Sequence, residues 1–232
     1  MTGKEDLFTP VHKGLRAMLY DLSNRLQTND FADREATLKL ATDLENDFGA
    51  AQSAGCVLCA FAFHAEEEEA VVFPPSARAA QSLVTELIQD HHGLTRREIE
   101  IGRTMRELAQ LPSPEARIQA GIHVNQLVNE LIVAYLAHMN REETELVPVM
   151  REHFSDGEQA AMRGAIIAKF PRDQLFALLG WMLPALNVTE LSDLLGSLKG
   201  AAPPPLLKAV SDLCAARVEP ARWAAVKLRV GI

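Results

Sequence analysis

The chain has 232 residues, enough for one medium domain or for a domain with an extension. Its 23 Lys and Arg stand against 31 Asp and Glu, a net charge of −8, which disfavours nonspecific binding to nucleic acid or an anionic membrane. Hydrophobic residues make up 48% and aromatic residues only 6%, an Ala- and Leu-rich mixture that favours helices over strands, with no apolar run of the roughly 18 residues that a membrane span needs.

Phe8, His12, Leu15, Leu19, Leu22 and Leu26 recur at helical spacing and predict a first helix over about 5–27, closed by Asn29-Asp30. A second helix is expected over about 34–72. Ala50, Val57, Phe61, His64 and Glu68 form its inner stripe, and Pro74-Pro75 is expected to end it, because proline cannot continue the hydrogen-bond ladder. The third helix is predicted over about 77–110, with Leu87, His91, Leu94, Ile101, Met105 and Leu108 on one face. "LPSPEA" at 111–116 reads as a stop followed by a start, with Ser113 as N-cap and Pro114 at the first helical position. The fourth helix runs to about 153, with Val124, Val128, Leu131, Tyr135, His138 and Glu142 facing inward. Four long helices with short connections predict an all-α fold, an up-down-up-down four-helix bundle over 1–153.

After "HFSDGEQ" the pattern shortens. Amphipathic pieces near 156–169, 172–184, 189–199, 204–216 and 219–229 are punctuated by Pro171, Pro184, Pro203 to Pro205 and Pro220. They are too rich in Leu and Ala for a disordered tail. Residues 154–232 are therefore expected to form a helical extension packed on the bundle.

Each bundle helix carries a histidine on its inward stripe: His12, His64, His91 and His138. Two of them have a carboxylate four residues on, Glu68 and Glu142. Four residues advance a helix by about 400°, so each pair lies only about 40° apart on one face. His12 is near the start of its helix and His64 near the end of the next, which is one end of an antiparallel bundle. A single histidine on an apolar stripe is ordinarily a packed core residue. Four of them, with two buried carboxylates that are costly unless paired or metal-bound, point instead to a metal site. Imidazole with carboxylate suits iron, zinc or manganese, and two bridging carboxylates suit a metal pair.

Several choices stay open at this level. His92 rivals His91, and Glu143 rivals Glu142, each one residue further round. Glu66, Glu67 and Glu69 are expected to face solvent or to support the site from outside. Tyr135 either packs or donates its hydroxyl to a bound oxygen ligand. Glu98 is either a supporting partner or an exposed stripe edge. His123 and His153 lie about 22 Å along the helix from His138 and are out of reach. Cys56 and Cys59 have no second pair and read as small core residues. With Cys214 they make no disulfide framework, and "MTGKEDLFTP" has no apolar signal core, so a cytoplasmic setting is expected. No Walker loop, GxGxxG, HExxH or GxSxG occurs.

The phrases "VHKGLR", "FHAEEEE", "DHHGL" and "HMNREETELVPVM" resemble the hemerythrin-like (HHE cation-binding) family over about residues 5–153. The stretch from "EHFSDGEQAAM" to "LSDLLGSL" resembles the segment after the hemerythrin repeats in plant iron-regulatory hemerythrin ubiquitin ligases, but without their RING or zinc-ribbon cysteines. The resemblance implies two iron ions in an oxo- or hydroxo-bridged centre, with His12, His64, His91 and His138 as terminal imidazoles and Glu68 and Glu142 as bridges. Position 95 is Thr where oxygen carriers have a further histidine. The pattern is therefore nearer to iron-sensing domains, with both irons open to small ligands. Ferritin-like bundles use Glu-x-x-His, which no histidine here shows. The expected function is binding or sensing of iron, oxygen or redox state, with dioxygen or a related small ligand as partner. The alternatives are an enzyme acting on peroxide or nitric oxide, and a zinc-binding or metal-free interaction module. The protein partner of the C-terminal helices is not legible in the sequence.

Overall fold

Apolar periodicity and local caps generate the helices directly. The computed structural model describes residues 6–48 and 59–232. Helix α1 spans Thr9–Thr28, and the Asp6 carboxylate accepts from the Phe8 and Thr9 amides at its start. It is followed by α2 (Arg34–Phe48) and α3 (Cys59–Glu67). A π-helical turn, Glu68–Val72, leads into α4 (Phe73–Leu108). Ser113 accepts from the Ala116 amide and starts α5 (Pro114–Arg141), with Pro114 in the first turn as expected. A second π turn, Glu142–Leu146, joins α5 to α6 (Val147–His153). No strand occurs among the described residues, and none of their helices is long and apolar enough to cross a membrane.

Pro74 and Pro75 do not end a helix. The chain stays helical through both and turns at Ala80, whose φ of −141° and ψ of 59° leave the helical region. The reason lies in the preceding turn. A proline crowds the carbonyl four residues back and lacks a donor, and a π turn just before it relieves the crowding by widening the ladder. The Phe73 amide accordingly donates to the Glu68 carbonyl, five residues earlier. The same device precedes Pro148, where the Val147 amide donates to the Glu142 carbonyl. Residues 49–58, with Ala50, Cys56 and Val57, lie outside the described residues.

The bundle core is built from Leu15, Leu19, Leu22, Leu94, Ile101, Val124, Val128 and Leu131 among others, all buried. A second apolar cluster, of Phe8, Val72, Phe73, Leu87, Leu146 and Met150, caps the same bundle. Between the two lie the inward histidines and glutamates.

The C-terminal helices are α7 (Asp156–Lys169), α8 (Arg172–Ala185), α9 (Val188–Ala201), α10 (Pro204–Arg217) and α11 (Pro220–Val230), close to the spans expected. Reciprocal capping boxes, Ser155 with Glu158 and Asn187 with Glu190, start α7 and α9. These helices share their own cluster, with Leu183, Leu191, Leu195, Val210, Cys214 and Val226 buried. Helix α8 crosses α1 at Gly14, where an added Cβ would lie 3.0 Å from Met182 Cα and 3.2 Å from its backbone nitrogen. The Lys13–Glu190 pair ties α1 to α9, and Lys169 reaches Glu67 of α3 at 2.8 Å.

Gly14→Ala sets a helix-propensity gain of about 1 kcal/mol against an overpacking cost of about 1–3 kcal/mol. Gly196→Ala meets nothing within 4 Å and keeps only the gain. Urea unfolding is expected to separate the two variants by about 2 kcal/mol, with Gly14→Ala the less stable.

Candidate metal centre

Four helices deliver six polar side chains to one layer of the bundle. His12 comes from α1, His64 from α3, His91 from α4 and His138 from α5, while Glu68 and Glu142 open the two π turns. All are buried except His64, whose side chain keeps 11% exposure. Their donor atoms converge as two overlapping groups. His12, His64, Glu68 and Glu142 form one, and His91, His138, Glu68 and Glu142 form the other, each with atoms within 4.8 Å of one another. Both carboxylates belong to both groups.

The distances define the layer. His64 Nε2 is 3.0 Å from Glu68 Oε1, and His91 Nε2 is 3.3 Å from Glu68 Oε2. His12 Nε2 is 3.3 Å from Glu142 Oε2, and His138 Nε2 is 3.3 Å from Glu142 Oε1. His91 Nε2 and His138 Nε2 face each other at 2.9 Å. Both oxygens of each glutamate, together with His12 Nε2 and His64 Nε2, are buried without a hydrogen-bond partner. Buried polar atoms are normally satisfied. A ring of inward nitrogen and carboxylate donors left unsatisfied is the arrangement a cation would complete.

The outward ring nitrogens are held from behind. His91 Nδ1 lies 2.9 Å from Glu69 Oε1, and His12 Nδ1 lies 2.9 Å from Glu143 Oε1. Arg16 donates to the same Glu143 oxygen at 2.9 Å. Each supporting glutamate comes directly after an inward one, so the chain runs His64-x-x-x-Glu68-Glu69 and then His138-x-x-x-Glu142-Glu143. In each case a proline comes five residues after the second glutamate, Pro74 and Pro148. Around His138 the support differs: Asp90 Oδ2 is 3.6 Å from Nδ1 and accepts from Arg141 Nη1 at 3.1 Å. Phe73 stacks on His91 with ring centroids 5.3 Å apart, and Phe8 lies 5.5 Å from His12.

Burial and charge pull against each other in this layer. Burial opposes a charge on His12, but its contacts with Glu142, Glu143 and Glu68 outweigh this and hold its pKa well above the ordinary value. Burial likewise opposes the charge on His91, and Glu68 and Glu69 push it up to about 9. His64 is lowered to about 4, because burial outweighs the attraction of Glu68. Burial also opposes the Glu142 charge, yet His12 and His138 hold it well below the carboxylate range. Without a metal, the carboxylates are thus balanced by protons on His12 and His91.

The structure places the close rivals differently. His91 is buried in the layer, whereas His92 is exposed. Glu142 is wholly buried with both oxygens inward, whereas Glu143 lies behind His12. Glu66 is exposed, Glu67 pairs with Lys169, and Glu69 supports His91. His123 and His153 are exposed. Glu98 is 1% exposed and is no stripe edge. The Tyr135 hydroxyl donates to Glu98 rather than into the histidine layer. Asp90, Arg16 and Arg141 carry no local sequence signal of their place around the layer. The repeated Glu-Glu doublet is the available signal for the supporting pair, because the second glutamate lies about 100° round the helix from the first.

The model of the family described as hemerythrin HHE cation binding domain matches residues 5–150, well over half of the chain. Comparison with curated proteins and with solved structures gives no match.

Glu98 generates a pH-dependent prediction for the metal-free chain. Burial raises it from 4.5 to about 7, against the opposing pull of Tyr135 and His91. Between those values the folded chain holds a proton that the unfolded chain has lost. Stability from this group therefore falls as pH rises through the window, by on the order of 3 kcal/mol in full. Glu98→Gln removes that loss. Its Tm relative to the native chain is expected to climb between about pH 5 and pH 8, and a pH-independent difference would contradict the assignment.

Proposed function

The chain belongs to the hemerythrin HHE cation-binding family, and from that premise we propose a non-haem di-iron protein that binds or senses iron, oxygen or redox state. The observation that carries the reading is the pair of donor groups sharing both carboxylates. His12 and His64 would hold one iron, His91 and His138 the other, with Glu68 and Glu142 common to both. Four imidazoles and two carboxylates suit iron by their donor chemistry. When bound, the pair supplies redox change and open positions for dioxygen, peroxide or a related small ligand.

The chain's own groups prepare the site. Glu69 and Glu143 fix the rings of His91 and His12, leaving Nε2 inward in each case. To hold a metal, His12 and His91 would each give up a ring proton, so binding would be coupled to proton release. Ligation would join four helices through one layer, which turns metal affinity into folding free energy. Glu68 is adjacent to Glu67, whose ion pair with Lys169 reaches α7. The neighbour of a candidate ligand is thereby tied to the C-terminal helices, which supports a sensing role.

Anaerobic ferrous loading followed by mass-spectrometric metal analysis is expected to find about two irons per chain. With iron far above its dissociation constant, the linked stabilisation is about 4 kcal/mol, or roughly 10 °C in Tm. Zinc alone in the isolated protein, persisting after reconstitution, would defeat the iron reading. A loaded protein with unchanged Tm and protease resistance would defeat the sensing part.

The supporting glutamates give a separate test. Glu69→Ala and Glu143→Ala are each expected to weaken metal binding about 10–100-fold in competition with a chelator. Glu66→Ala, at an exposed position, is expected to leave it unchanged.

A further inference from the structure

Between the bundle and the C-terminal helices lies a cavity of about 260 Å³. Val11 of α1, Phe63 of α3, Ile166 of α7, Leu179 of α8, Leu198 of α9 and Leu206 of α10 contribute to its wall, which is almost entirely apolar. One part of that wall is His64 and Glu68. His64 is also the one inward histidine whose side chain keeps appreciable exposure, 11% against 3% or less for the other three. The corresponding side of the layer, around His138, is covered instead by the charged Asp90 and Arg141. The cavity therefore meets the candidate metal centre from one side, and it is the C-terminal helices that wall it in.

Interiors pack densely and leave few voids larger than a water molecule. The atoms lining such a space forgo contacts on one face, so one of this size gains from an occupant. Its volume selects the size. A 150 Å³ apolar cavity takes benzene, so this one accommodates about ten carbon atoms, well beyond a diatomic gas. Its charges select the kind. Asp6 is engaged in starting α1, Glu67 is paired with Lys169, and Arg163 has an interaction of its own. Among the described residues, no charged group on this wall is left to receive an ionic head, and Asp6, Glu67 and Glu68 would repel a carboxylate.

We infer that this cavity binds an uncharged, medium-chain apolar molecule, of the class of a ten-carbon alcohol or aldehyde, with one end beside His64 and Glu68. The site draws on the C-terminal helices as much as on the bundle, and it does not depend on which metal the layer holds.

The test uses the full chain and the ten-carbon, uncharged fluorophore 1-aminonaphthalene, titrated with and without 1-decanol or decanoate as competitor. Saturable binding of about one probe per chain is expected, with decanol displacing it at least tenfold more effectively than decanoate. Leu179→Trp and Val11→Phe fill the cavity from two different helices. Whichever of them keeps the native circular dichroism spectrum is expected to weaken probe binding at least tenfold. Absence of saturable binding would overturn the inference, as would folded filling variants that bind like the native chain. Decanoate competing as well as decanol would overturn the assignment to an uncharged ligand. Metal content is measured on the same samples, so a chain that binds the probe but takes no iron would separate this site from the di-iron reading.

Discussion

Four histidines and two glutamates drawn into one layer, all buried but His64, set the terms for the rest of this protein. Removing an ionised carboxylate from water is expensive unless opposite charge or a cation compensates it. Glu68 and Glu142 are compensated by His12 and His91, whose protons are held in place by the same carboxylates. Around this layer the bundle is sealed by two apolar clusters, one containing Leu15, Leu19 and Leu131, the other Phe8, Phe73 and Leu146. Water is thereby kept from the inward donors, and the unsatisfied Nε2 and carboxylate atoms stay directed at one another.

The layer is built twice from one local design. His64 to Pro74 and His138 to Pro148 share histidine, paired glutamates, a π turn and a proline at the same offsets. The first glutamate of each pair enters the layer, and the second crosses to a histidine of another helix: Glu69 to His91, and Glu143 to His12. One extra residue in the turn is how the chain reconciles an inward glutamate with a proline six residues later. π turns of this kind occur often at functional sites, and here each one begins at the glutamate that enters the layer.

The C-terminal helices add an asymmetry that this repeated design lacks. Gly14 lets α8 approach the α1 backbone, Lys13 pairs with Glu190, and Lys169 pairs with Glu67. Their covering is incomplete beside His64, where the apolar cavity remains. The two sides of the histidine layer consequently differ in chemistry: charged residues lie behind His138, and an apolar space lies beside His64. Any small molecule approaching along the second route meets an almost entirely apolar wall before it meets the donors.

The sequence by itself determined the all-α bundle, the four inward histidines and the two inward glutamates, because burial is written in a period of 3.6 residues and each of these falls on it. It also determined Ser113 as an N-cap and the five short C-terminal helices, since proline and capping chemistry act within a turn or two. A helix end at Pro74-Pro75 is the expectation that fails, because whether a helix passes through proline depends on how the preceding turn is hydrogen-bonded. His91 over His92, and Glu142 over Glu143, are separated by only about 100° of helix rotation. Only the packing of α1 against α5, and of α4 against α5 and the first π turn, decided which of each pair lies inside. The Glu69–His91 and Glu143–His12 contacts, the Tyr135–Glu98 pair and the cavity beside His64 were likewise decided by tertiary structure. They join residues 22, 131 and 37 positions apart, or six helices at once, and no local pattern specifies distances across a core.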